Sequence, residues 1–369
     1  MDNNLDKPKY QKLKECLIDT IKSNQLKPGE RIYSENELAE KFEISRHTVR
    51  QAIGELASEG WLYREQGKGT FVNRRPDEKP LQTKTIGVIT TYLNDYIFPA
   101  IIRGIDRVVS ENGYNIILAC TYNQHERERL CLENFKNQNI DGLIVEPTKS
   151  TLPNPNLDMY RDLSSAGIPV LFIHGCYKEL NYSYIVEDDI LAGYMATKHL
   201  IELGHSRIGA VFKMDDIQGH YRFSGFQKAH LEAGLKYSDS RIIWFYTDEV
   251  EEKIKSGGGG RFSSFLEECT AVVCYNDQIA LEVLDIIREN GLSVPEDLSL
   301  VSFDDSQLAV ASEIKLSTVA HPKEALGEEA GRAIINMIER KKDYYKVKMK
   351  PELVVRGSTK EQPESENEK

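Results

Sequence analysis

Two arginines one helical turn apart, Arg46 and Arg50, sit in a short segment whose donors precede its apolar residues. In Ser45-Arg46-His47-Thr48-Val49-Arg50, every side chain except that of Val49 carries a group able to meet a base edge or a phosphate. Val49, Ile53 and Leu56 follow at helical spacing and form an apolar back. A helix of this kind suits a DNA major groove, because its first turns offer donors and its rear packs against a support. Downstream, Gln66-Gly67-Lys68-Gly69 supplies a second chemistry. Its glycines let backbone approach a sugar-phosphate surface, and Lys68 adds charge. Taken singly, each arginine reads as a solvated surface residue. The ordered set of helix, turn, helix and glycine tip is what points to DNA.

A second group of polar residues sits at the ends of short apolar runs: Glu146, His174, Asn276, Asp277 and Asp304. Tyr92, Tyr96, Phe98, Gln218 and Arg222 fall in the segments between runs. Recognition of a sugar needs donors and acceptors for its hydroxyls and apolar or aromatic cover for its ring faces. The set fits a small polar ligand of that class; each residue alone reads equally as a cap, a turn residue or a local ion pair. The six cysteines are scattered without a CxxC pair, so neither a zinc site nor a redox motif is expected. Ser256–Gly260 (SGGGG) lacks the Lys-Ser/Thr of a phosphate loop and reads as a flexible surface loop. With no HExxH and no nucleophile elbow, no catalytic residue, metal or cofactor is assigned, and the chain is not expected to be an enzyme.

The elements that must position these groups follow from patterning. Tyr10, Leu13, Leu17, Ile18 and Ile21 mark a first helix, and Ser34-Glu35-Asn36-Glu37 is a capping box opening a second. Ser45 caps a third, stopped by Gly60, and residues 61–72 alternate as a hairpin. Residues 1–75 thus form a small unit, 76–83 a polar, proline-containing linker, and 360–369 a disordered tail. Between 84 and 359, eight apolar runs alternate with amphipathic stretches, which implies parallel, doubly wound sheets of the α/β class in two lobes. Ligands of such sheets sit at the carboxyl ends of strands.

Charge agrees with this division. The net charge is −11, yet residues 1–75 carry 14 Lys and Arg against 12 Asp and Glu, while the remainder carries 33 against 46. A near-neutral head on an acidic body is compatible with a small DNA reader on a larger domain. No run reaches the ~18 apolar residues of a membrane helix, so no membrane partner is expected. The scattered cysteines make a reducing, cytoplasmic location the default.

The string PGERIYSENELAEKFEISRHTVRQAIGELASEGWLYREQGKGTFV resembles the winged helix-turn-helix of the GntR family over almost its whole length. That resemblance implies DNA contacts from Arg31, Ser34, Ser45, Arg46, His47, Thr48 and Arg50, and from Gln66, Gly67, Lys68 and Gly69 in the wing. The pieces DGLIVEP, HLIELGHSRIGAV, RFSGFQKA, AVVCYNDQIALEVL, VPEDLSLVSFDD and PELVVRGST resemble the LacI/GalR effector domain, itself similar to periplasmic sugar-binding proteins. This implies ligand contacts from Arg222, Asn276, Asp277 and Asp304. It also implies one lobe of about 84–185 plus 317–341 and another of about 186–316 plus 342–359. The pairing of these two parts, with TTYLNDYIFPAIIRGI and DGLIVEPTKS, resembles regulators that respond to arabinose. The expectation is a homodimeric repressor of sugar-utilisation genes that binds double-stranded operator DNA and is released by L-arabinose. A regulator answering to another sugar or a nucleobase, and a sugar-modifying enzyme, are the alternatives.

Overall fold

The computed structural model describes residues 8–23, 25–27, 29–65, 68–73, 83–93, 97–255, 260–342 and 344–362. Gln66 and Gly67 of the expected wing tip, Tyr96, residues 76–82 of the expected linker, 256–259 of the glycine loop and 363–369 of the tail lie outside the described residues. The chain divides into two units, Met1–Gln82 and Thr83–Lys369.

In the first unit, α1 (Lys9–Lys22), α2 (Glu35–Lys41) and α3 (Arg46–Ser58) precede a hairpin of β1 (Leu62–Glu65) and β2 (Gly69–Val72). Ser34 accepts from the Glu37 amide while Glu37 accepts from the Ser34 amide, so both start-of-helix donors are satisfied. Glu43 takes a left-handed conformation (φ 48°), which closes the turn between α2 and α3. Leu13, Leu17, Leu38, Val49, Ile53 and Leu56 make the core. β1 and β2 are antiparallel, with Tyr63 stacked on Phe71, and Arg31 adds an isolated bridge to Phe71.

The second unit begins with β3 (Thr85–Thr90), α4 (Phe98–Glu111), β4 (Asn115–Cys120), α5 (His125–Asn137), β5 (Gly142–Val145), α6 (Leu157–Ser165), β6 (Val170–Ile173) and β7 (Ser183–Glu187). It continues with α7 (Asp189–Glu202), β8 (Ile208–Lys213), α8 (Ile217–Glu232), β9 (Ile242–Phe245), α9 (Arg261–Glu267), β10 (Ala271–Cys274), α10 (Asp277–Glu289), β11 (Ser299–Asp304) and α11 (Gln307–Ala311). It closes with β12 (Ser317–Ala320), α12 (Lys323–Ile338), β13 (Lys346–Met349) and β14 (Glu352–Val354). One sheet has the order β13-β7-β6-β5-β3-β4 and is parallel throughout. The other has the order β14-β12-β11-β10-β8-β9, with only β14 antiparallel. Strands such as β5 and β10 are buried along their whole length because helices cover both faces.

Three details differ from the sequence expectation. β12 belongs to the second sheet and β13 to the first, so the lobes cross at 187–189, 320–323 and 349–352. Thr83 is part of the body, bonding Asp141 and the Asn139 carbonyl. The expected tail begins too early, because the Gln362 amide donates to Leu203 O and Lys360 pairs with Glu296.

Close helix contact sets the site. A Cβ at Gly193 of α7 would lie 2.0 Å from the Arg222 carbonyl, and one at Gly225 of α8 would lie 2.1 Å from the Ile190 carbonyl. Only glycine permits this approach, which seats α8 against α7 and aims Arg222 inward.

Candidate ligand cleft and DNA-reading surface

α3 starts at Ser45, whose Oγ accepts from the Thr48 amide at 3.1 Å. Ser45, Arg46, His47 and Arg50 are exposed, while Val49, Ala52, Ile53 and Leu56 are buried. The helix therefore presents its donors outward on a fixed frame. Arg50 is held by Glu35 of α2, Nη2 to Oε2 at 2.9 Å. Ser34 is engaged as the α2 cap. Lys68 pairs with Glu65 at 3.0 Å on the hairpin, and the Arg31 side chain lies against Gly69.

In the second unit, a cleft of about 270 Å³ lies between the lobes. The first lobe contributes Thr91, Tyr92, Ile97, Phe98 and Glu146. The second contributes Gln218 and Arg222 from α8, Asn276 at the start of α10 and Asp304 at the end of β11. Both of the Glu146 carboxylate oxygens are placed: Oε2 accepts from the Thr91 amide and hydroxyl at 2.6 Å each, and Oε1 faces His174 Nδ1 at 3.2 Å. The strand-end rule could have found Lys213, which follows the run RIGAVF; it lines the cleft with Asp216, Tyr275, Gln278 and Glu282. The Tyr275 hydroxyl donates to Asp216 Oδ2 at 2.7 Å; desolvation pushes the Asp216 carboxyl up, but Lys213, Tyr275 and the Gln218 amide outweigh it and hold the carboxyl below its ordinary range.

Arg222 is the centre of this polar wall. It is 1% exposed. Its Nε donates to Asp189 at 2.9 Å and its Nη1 to the Tyr275 carbonyl at 2.6 Å. Nη2 lies 3.5 Å from Asp304 and 3.7 Å from Glu187, and the guanidinium packs 4.5 Å from the Phe303 ring centroid. Burial pushes the Asp189 carboxyl up to about 6 against the pull of Arg222. Asp304 sits at φ 97°, a conformation costly for a non-glycine residue, and Lys323 from α12 grips its carbonyl at 2.5 Å. Lys323 thereby ties a lobe crossing to the ligand wall.

The lobes also bond each other directly. Asn123 Nδ2 donates to Asp215 at 3.2 Å and to Thr247 Oγ1 at 2.6 Å. The Thr151 hydroxyl donates to Met214 O at 2.8 Å, and Lys149 pairs with Asp248 at 3.1 Å.

Two residues expected in the cleft lie outside its lining. His174 stands behind Glu146, its ring 5.0 Å from that of His321. Asp277 is fully buried inside the second lobe, where Oδ1 accepts from the Ser302 and Thr318 hydroxyls and Oδ2 from the Ser306 amide at 2.7 Å. Its place as first residue of α10 turns it inward, while the cap Asn276 faces the cleft. Asp277→Ala is expected to cost about 2–4 kcal/mol of stability, because buried donors lose a charged acceptor. Burial, reinforced by the Asp304 charge, pushes the Asp277 carboxyl up to about 6. The folded form then binds the proton more tightly than the unfolded form, whose pKa is about 3.9, so this group's contribution to stability falls as pH rises from ~4 to ~6. Thermal melts across that range should show the slope in the parent and lose it in Asp277→Asn; a slope retained in the variant would contradict the assignment.

Comparison with known proteins matches residues 9–72 to the family described as bacterial regulatory proteins, gntR family, and residues 197–359 to the periplasmic binding protein-like domain. An arabinose metabolism transcriptional repressor from Halalkalibacterium halodurans is 46% identical over 96% of this chain and 97% of its own length. A protein of the same description from Geobacillus stearothermophilus is 44% identical over 96% of this chain and 98% of its own. Among solved structures, the transcription regulator CcpA of Lactococcus lactis is similar with a TM-score of 0.66 and 26% identity, covering 75% of this chain and 99% of that one. A transcriptional regulator CelR–cellobiose complex matches with a TM-score of 0.65 and 26% identity, over 85% and 90%. With a winged head, a two-lobed body and near full-length likeness to two such repressors, the chain belongs to the family of arabinose metabolism transcriptional repressors.

Proposed function

We propose that the protein acts as a homodimer on a roughly palindromic operator and leaves it when L-arabinose fills the cleft. The observation that carries this is the polar wall of Glu146, Arg222, Asn276 and Asp304 around an interlobe space of about 270 Å³, in a chain whose first unit presents exposed Arg46 and Arg50. Fixed acceptors and the Arg222 fork suit ring hydroxyls, while Phe98, Tyr92 and Ile97 cover an apolar face.

A ligand held by both lobes favours the arrangement in which they are bridged. It biases the heads only by its differential affinity for the two arrangements. Two heads, one per half-site, bind DNA only in a compatible geometry. Coupling of the usual ~1–3 kcal/mol per site weakens operator binding by roughly 5–150-fold. The test is titration of a selected operator duplex with and without saturating L-arabinose, with the recovered sugar analysed for turnover. A rise in Kd with the sugar recovered unchanged is expected. Equal Kd in both titrations removes the repressor reading, and conversion of the sugar replaces it with an enzyme.

A further inference from the structure

Behind the polar wall lies a second cavity of about 240 Å³, nearly as large as the cleft. It is bounded by the first lobe through the turn after β6 (His174–Cys176), β7 and β13, and by the second through α7 and α8. On α8 the two spaces take alternate residues: Gln218 and Arg222 line the cleft, Ile217 and Tyr221 line the rear cavity. Its wall repeats the chemistry of the front, with a carboxylate (Glu187), a lysine (Lys348), tyrosines (Tyr184, Tyr221) and branched aliphatics.

Two lining side chains have an unmet polar atom. Glu187 is 3% exposed, and among the described residues its Oε1 has no hydrogen-bond partner. His174 is 4% exposed, and its Nε2 has none either. Buried polar groups left without partners are costly, which favours an occupant carrying hydroxyls over an apolar one. A bare cation is a poor candidate, because Lys348 and Arg222 already supply positive charge there. A large anion would meet Glu187, Asp188 and Asp189.

We infer that the rear cavity is a second ligand site for a small neutral polyhydroxy compound, distinct from the sugar cleft and linked to it through Asp189. Asp189 lines the rear cavity and accepts from both Gln218 (3.1 Å) and Arg222 (2.9 Å) of the front wall. Occupancy at the rear therefore alters the platform on which the front ligand sits, and the effect is reciprocal.

The test uses the full chain and calorimetric titration with glycerol, xylitol, D-ribose and D-xylose, each with the cleft saturated by L-arabinose and again without it. At least one probe is expected to bind at one equivalent per chain with L-arabinose present. Ile190→Trp, which fills the cavity from its exposed rim, and Tyr221→Ala should each weaken that probe about tenfold or more, a difference of ~1.4 kcal/mol. L-Arabinose itself should shift in Ile190→Trp in the same direction as it does with the probe bound, because both fill the space beside Asp189. Absence of binding by every probe, or binding that ignores both substitutions, overturns the second site. Failure of L-arabinose to bind counts against the cleft reading alone, because the titrations without it still report on the rear cavity.

Discussion

Replacing Arg222 with methionine is expected to raise the Kd for L-arabinose by roughly a hundredfold or more and to leave operator binding in place, giving a repressor that the sugar no longer releases. The guanidinium is buried, bonds Asp189 and faces the Glu187 and Asp304 carboxylates. Its three nitrogens serve three directions, so the loss is geometric as well as electrostatic. Arg222→Lys keeps the charge but has no fork, and it should recover only part of the affinity. Methionine leaves the buried Asp189 and Glu187 carboxyls, already raised by burial, without their cation, and they take up protons to relieve it. The stability of the variant should therefore rise as pH falls toward 5, opposite to ordinary acid denaturation. The measurements are sugar affinity, melting temperature against pH, and operator affinity with and without sugar. A variant that still binds L-arabinose within about threefold of the parent would falsify the central place given to Arg222.

The head was legible in sequence because its signals are local. Ser34 and Ser45 announce their caps within three residues, and both caps are present. The cleft was legible only in part. Asn276 and Asp304 end strands and reach the lining, as the rule for parallel sheets anticipates. Asp277 obeys the same rule in sequence, but its neighbour takes the cap and the helix turns it toward Ser302 and Thr318. His174 also ends a strand, yet Glu146 stands between it and the cleft. The crossings were misplaced for a related reason. β12, β13 and β14 have three or four residues each, and β13 and β14 are edge strands with alternating or partial burial. Short edge strands carry no continuous apolar run, so nothing in their patterning says which sheet they join. That choice is made by tertiary packing, and it decides that Lys323 of α12 reaches across to the Asp304 carbonyl.

Arg46→Ala is expected to weaken operator binding by about 10–100-fold, the ~1–3 kcal/mol of one good base contact, and to relax preference at one base pair per half-site. Arg46 lies in the first turn of α3, exposed, directly after the cap that orients the helix. Val49, Ile53 and Leu56 hold the opposite face in the core, so the substitution removes a donor without disturbing the fold. Arg50 differs, because Glu35 holds its guanidinium at 2.9 Å. An arginine so paired is pre-positioned but partly neutralised, and it suits phosphate or base contact only after exchanging that partner. Arg50→Ala should therefore cost less than Arg46→Ala, and Glu35→Ala should strengthen non-specific binding while leaving the melting temperature within about 2 °C of the parent, as surface pairs contribute little. The salt dependence separates the two roles. Loss of a phosphate contact lowers the slope of log K against log salt by roughly one, whereas loss of a base contact leaves it nearly unchanged. If Arg46→Ala instead lowered the slope and weakened all duplexes alike, Arg46 would be a phosphate anchor, and sequence reading would pass to His47, Thr48 and Arg50 on the same exposed turn.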